Sequence, residues 1–129
     1  MSKYDAIHFN PPAPIAQVIL RNIHSGAHIK DVTLLLDTGA DVTLLPRRAV
    51  EQLGIQPLVG QEYQLQGFDG SMTSAQVVEL DMIFLKKAYR GEYVLIDDEC
   101  GILGRDILAN VALILHGPQQ QWSELPSIP

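Results

Sequence analysis

The stretch Leu34-Leu35-Leu36-Asp37-Thr38-Gly39-Ala40-Asp41-Val42-Thr43 decides how this 129-residue chain is read. Three consecutive apolar residues leave no solvent face, so 34–36 is expected as a strand buried on both sides. Asp37 then stands where that strand leaves the core. Gly39 allows a tight turn and a close approach of another backbone. Asp-Thr-Gly by itself is an ordinary turn tripeptide, since Asp caps turns and Gly supplies positive φ. A bare turn has no need of an apolar run on both sides and a second acid at Asp41. A carboxylate on a glycine turn at a buried edge is a candidate for chemistry.

A second segment, Gly101-Ile102-Leu103-Gly104-Arg105-Asp106-Ile107-Leu108, again brings an apolar pair to a turn of glycine and polar residues. Together the two segments resemble the paired motifs of retropepsin-like (retroviral-type) aspartic proteases, and their separation suits one small barrel. The resemblance covers roughly residues 15 to 116, and its specific residues lie in these two segments.

Around the motifs, turn signals cut the chain into short strands. Ala16 to Ile23 and His28 to Leu36 read as a hairpin around Ser25-Gly26. Val42 to Leu45 continues extended. Pro46 is placed to open a helix that runs to about Leu53, with Ala49, Val50 and Leu53 on one side and Gly54 as its stop. Gln61 to Gln66 and Ser71 to Leu85 form a second hairpin across Gly67-Phe68-Asp69-Gly70. In its second arm Val78, Leu80, Met82 and Phe84 alternate with Glu79 and Asp81, a period of two with one buried face. Tyr93 to Ile96, Ile102-Leu103, Val111 to Leu115 and Gln119 to Trp122 complete the strands, with a short helix from Arg105 to Asn110. The expected fold class is all-β: a closed acid-protease barrel with one or two short helices, active as a two-fold dimer. The expected organisation is an extended, proline-rich arm over 1–14, one domain over 15–122 and a tail over 123–129.

Bulk properties bound the function. Hydrophobic residues make up 47% and charged residues 19%, as in a compact globular protein rather than a disordered one. A net charge of −6 argues against nucleic acid or an anionic membrane surface as partner. Arg47-Arg48 and the group Lys86, Lys87 and Arg90 are short enough to be solvated surface. Cys100 is the single cysteine, so no internal disulfide forms and a reducing compartment is expected. No run approaches membrane-spanning length and no apolar leader is visible, so the expectation is a cytoplasmic protein without a membrane partner. His8, His24, His28 and His116 are scattered, so neither a metal nor another cofactor is expected.

Peptide hydrolysis by carboxylates needs two of them in one site, and this chain has a single Asp-Thr-Gly. The resemblance implies that a homodimer supplies the second, Asp37 of each copy lying beside the two-fold axis. It implies further that Asp37, Thr38 and Gly39 form the catalytic loop: Asp37 activates water, Thr38 braces the interface and Gly39 lets backbone approach substrate. Ala40, Asp41 and the hairpin tip Gly67, Phe68, Asp69 and Gly70 are the implied binding elements, the tip acting as a flap over an extended peptide or protein substrate. Gly104 and Arg105 are implied supports, with Arg105 pairing with Asp41. The helix after Pro46 and the charge of Asp69 depart from viral members and resemble non-viral, cellular or bacterial ones. Two other readings stay open: a catalytically idle dimerisation or peptide-binding module on the same scaffold, and an unrelated small-ligand barrel. The intact Asp37 speaks against the first and Arg105 against the second.

Overall fold

The computed structural model describes residues 2–67 and 69–125, which leaves Met1, Phe68 and residues 126–129 outside the described residues. The strands are β1 (Ser2–Asp5), β2 (Ala13–Arg21), β3 (His28–Leu36), β4 (Leu44–Pro46), β5 (Glu62–Gln66), β6 (Met72–Phe84), β7 (Lys87–Ile96), β8 (Gly101–Leu103), β9 (Leu113–His116) and β10 (Gln121–Glu124). Two short helices interrupt them, α1 (Arg47–Glu51) and α2 (Arg105–Leu108). These strands form one sheet in the order β5-β6-β7-β4-β8-β3-β2-β1-β10-β9, and β2 pairs with β6 as well. The hydrogen-bonded path from β6 through β7, β4, β8, β3 and β2 thus returns to β6. The chain is all-β with few short helices.

Most pairings are antiparallel; β3 with β8 and β4 with β7 are parallel. The β3–β8 pair, Leu35 opposite Ile102 and Leu36 opposite Leu103, lays the two motifs side by side. Inside the sheet lie Val18, Leu20, Leu34, Leu45, Val50, Leu80, Met82 and Leu103, all fully buried. Trp122 closes one end, its ring 6.1 Å from that of Phe84 and its indole N–H donating to the Ile15 carbonyl at 2.7 Å. Ser2 and Lys3 pair with β10, and Tyr4 and Asp5 with β2.

Several expectations need correction. Leu34 is fully buried, but Leu35 and Leu36 are only half-buried, because the end of β3 opens toward the surface that carries Asp37. Pro46 ends β4 with extended ψ and caps α1 rather than starting it, and the helix stops at Glu51; looser turns carry the chain to Gly54 at φ +69°. The second helix likewise ends at Leu108.

The strand expected from Tyr93 begins six residues earlier, at Lys87. Leu85 and Lys86 form the two-residue turn before it, both left-handed at φ 52° and 67°. Such turns favour Gly or Asn, so Leu-Lys gave no warning; the long β6–β7 ladder imposes the conformation.

Asp81, expected on a solvent face, is 3% exposed. It lies in register between Arg21 on β2 and Arg90 on β7. Arg90 donates twice to its carboxylate, at 2.9 and 3.2 Å, and Arg21 once at 3.1 Å. The period of two was read correctly; the β2–β6 closure that covers the outer face was not legible from it.

Candidate active site

Asp37 leaves β3 with its N–H donating to the Leu103 carbonyl at 3.0 Å, so the second motif fixes its backbone. The Gly39 N–H donates to Asp37 Oδ1 at 2.8 Å and the Ala40 N–H to the Asp37 carbonyl at 3.2 Å. The carboxylate is therefore oriented by its own turn, and among the described residues its second oxygen accepts no hydrogen bond. A Cβ on Gly39 would stand 3.1 Å from Oδ1, so glycine preserves room beside the carboxylate. Asp37 is half-buried, and Thr38 and Gly39 are exposed.

The second motif clamps this loop. The Arg105 N–H donates to the Ala40 carbonyl at 2.9 Å. Its guanidinium donates to the Thr38 carbonyl at 2.6 Å and to Asp41 Oδ1 at 2.8 Å. Because the side chains of Arg105 and Asp41 are 51% and 73% exposed, that ion pair is hydrated and of modest worth. Losing one partner does not strand a buried charge; the value of Arg105 lies in its grip on the Thr38 backbone. Gly104 is packed so closely that a Cβ there would meet the Val42 carbonyl oxygen at 2.5 Å. Only glycine lets the two motifs touch.

The residues that sequence reasoning missed are Thr43 and Asp106. Thr43 is fully buried, and its hydroxyl donates to Asp106 Oδ1 at 2.7 Å while accepting from the Gly104 N–H at 3.1 Å. The Thr43 N–H donates to Asp106 Oδ2 at 3.1 Å. Both stand within the motifs as quoted, and the one signal was a lone hydroxyl, Thr43, between the apolar Val42 and Leu44.

Across from the loop, β5 and β6 form the expected hairpin, Gln66 opposite Met72. Its tip is closed by the Gly67 N–H on the Ser71 carbonyl at 2.9 Å and the Gly70 N–H on the Gly67 carbonyl at 3.0 Å. The Ser71 hydroxyl and N–H hold the Asp69 carboxyl below the ordinary carboxylate range, so a negative charge persists at the tip in mild acid. Phe68, named as the apolar tip residue, lies outside the described residues.

Between hairpin and loop is a cavity of about 430 Å³, bounded by Gly39, Ala40 and Leu44 on one side and Tyr63, Leu65 and Met72 on the other. It flanks Asp37 rather than enclosing it. A larger cavity of about 770 Å³ beside Ile7, Ile15, Leu85 and Trp122 touches none of the loop residues. Among the described residues no cluster of three His, Cys, Asp or Glu is arranged to hold a metal, and no helix is long and apolar enough to cross a membrane.

A strand-borne Asp-Thr-Gly loop clamped by a Gly-Arg helix start, facing a β-hairpin, defines a retropepsin-like aspartic protease scaffold. The family model for aspartyl proteases matches residues 22–107, and the chain belongs to that family. Among solved structures it is similar to the EIAV protease complexed with the inhibitor HBY-793, at 24% identity and a TM-score of 0.54, over 76% of this chain and 86% of that one. That likeness shows the fold. No curated protein matches the chain.

Proposed function

We propose that this protein is a homodimeric aspartic endopeptidase whose closed β-barrel presents one Asp37 from each copy to a shared water. The observation that carries the reading is the half-site. A single Asp37 is held rigidly from one side, while the adjoining Thr38 and Gly39 are left exposed. One carboxylate cannot serve as acid and base at once. A second copy related by a two-fold axis brings an identical loop to that exposed edge.

In the dimer two carboxylates at contact distance share a proton, because both cannot ionise together. The ionised one removes a proton from water as the water oxygen attacks the scissile carbonyl carbon. The protonated one gives its proton to the carbonyl oxygen, forming a neutral tetrahedral diol. Collapse breaks the C–N bond, with a proton delivered to the departing amine and the dyad restored to its shared-proton state. Extended substrate lies in the cavity between loop and hairpin, Gly67 to Gly70 covering it as a flap. With Cys100 as the single cysteine and no internal disulfide to form, a reducing cytoplasmic setting belongs to the same proposal.

The test is cleavage of a diverse peptide library at acidic and neutral pH. Asp37→Asn is expected to lower cleavage by about 10⁴-fold or more and to leave sedimentation unchanged. Retained cleavage in that variant would sink the mechanism. A dimer that cleaves nothing in either form would favour the idle peptide-binding module.

A further inference from the structure

The cavity of about 770 Å³ at the Trp122 end of the sheet takes no part in the reaction proposed above. Its volume falls within the roughly 300–1,000 Å³ of pockets that take small molecules. Ala16, Phe84 and Trp122 form its floor, and all three are buried. The indole N–H, the one polar side-chain atom of that floor, is spent on the Ile15 carbonyl. The floor therefore offers apolar contact alone. Half-buried Ile15 and Leu85 stand beside it, and Ile7 keeps 90% of its surface exposed at the rim. An aliphatic body laid between these residues removes their remaining apolar surface from water.

The charged groups at the rim are not equivalent. Asp5 is the one acid lining the cavity, and both of its oxygens are occupied. Oδ1 accepts from the Ile7 and His8 N–H groups at 2.8 and 3.0 Å, and Oδ2 meets the His8 ring at 2.8 Å. Those bonds shape the turn that carries Ile7, and the Asp5 side chain is 15% exposed. Lys3 lines the same cavity, is exposed, and belongs to no ion pair among the described residues. A free ammonium beside an apolar pocket, in a chain of net charge −6, selects for an anion. One free cation matches one negative charge.

We propose that this cavity is a binding site for a small aliphatic monocarboxylate. The hydrocarbon chain lies against Ile7, Ile15 and Leu85 over the Trp122 floor, and the carboxylate meets the Lys3 ammonium. A cationic head finds no acceptor here, because the turn already uses Asp5. The site rests on the β2–β3 pair that leads to Asp37, with Ile15 opposite Leu35 and Ala16 opposite Leu34. It contains no residue of the Asp37 loop, so it stands whether or not Asp37 cleaves peptides.

Trp122 is the single tryptophan, so its emission reports on the cavity floor. The full chain is titrated with octanoate, 1-octanol and octyltrimethylammonium, each below its aggregation concentration. Octanoate is expected to shift the emission saturably, octanol to bind about fivefold more weakly, and the cation to shift nothing. Lys3→Gln should raise the octanoate dissociation constant about fivefold and leave that of octanol unchanged, with Lys3→Arg restoring the parent value. Leu85→Asn, which suits the left-handed backbone at φ 52°, should weaken octanoate and octanol together by about tenfold. Asp37→Asn should bind octanoate as the parent does, which keeps this result separate from the cleavage result. An emission that no ligand shifts saturably would overturn the site. Octanoate binding that Lys3→Gln leaves unchanged, or a preference for the cation, would overturn the carboxylate as its ligand.

Discussion

The Asp37 loop and the hairpin tip are both glycine turns with an aspartate, yet they are built in opposite ways. In the loop, Asp37, Thr38, Ala40, Asp41 and Thr43 each make a hydrogen bond to residues 103–106, more than sixty positions away. At the tip, every described hydrogen bond spans four residues or fewer. Long-range bonds make the loop part of the cooperative fold, whereas local bonds let the tip open by itself. In the proposed dimer, a carboxylate that meets its twin within a fraction of an ångström needs the first design. In the same proposal, a flap that admits and releases peptide needs the second.

The difference predicts a graded series. Gly104→Ala should do the most damage, because its Cβ is driven against the Val42 carbonyl, where no flexible side chain can yield. A loss of roughly 1–3 kcal/mol in denaturant unfolding is expected, with cleavage reduced as well. Unchanged unfolding would mean that the motifs do not pack as described.

Thr43→Val leaves the Gly104 N–H buried and unpaired, costing about 1–3 kcal/mol. Asp41→Asn, at a hydrated pair, should cost less than about 1 kcal/mol. Equal effects of the two substitutions would show that burial does not rank these contacts.

Further along the same hairpin, Asp81 should give an acid signature. The hydrogen bonds from Arg90, then Arg21, hold its carboxyl below 3.8 against the opposing effect of burial. Because the folded value is the lower one, the unfolded chain binds the proton first. This stabilisation is complete above the ordinary carboxylate range and is lost as pH falls from about 3.8 through the folded value. Asp81→Asn should flatten the stability profile there by up to about 1.4 kcal/mol per pH unit, the equivalent of one proton. A profile of unaltered slope would remove the ion cluster as an acid-sensitive element.

The smallest effect on stability is expected from Gly70→Ala. It sits at φ +84° with nothing within 4 Å of an added Cβ, so only local backbone strain of roughly 1 kcal/mol results. Global unfolding should be unchanged while cleavage falls about fivefold, the equivalent of that strain. The reverse pattern would make the tip part of the cooperative fold.

Much of this was legible from local pattern. β3 runs from His28 to Leu36 as its turn signals indicated, and both glycine motifs stand at strand ends. Gly54 and Gly70 take the positive φ that their turns need. The alternation in β6 identified Val78, Leu80, Met82 and Phe84 as core, and Asp41 lies within hydrogen-bond reach of Arg105. These are properties of a residue with its near neighbours, or of two motifs with a recognisable likeness, and a linear string carries them.

What escaped the string depended on strands distant in sequence. The Leu85-Lys86 turn is left-handed because β6 and β7 pair around it, against local preference. Asp81 is buried because β2 returns to β6 and brings Arg21 with it. Thr43 and Asp106 become a clamp only when β3 and β8 lie side by side. The sequence alone placed Asp37 on a glycine turn at a strand end and set the periods of the strands. Tertiary structure decided which polar groups are buried, since burial is set by what covers a residue, and here the covering strand comes from elsewhere in the chain.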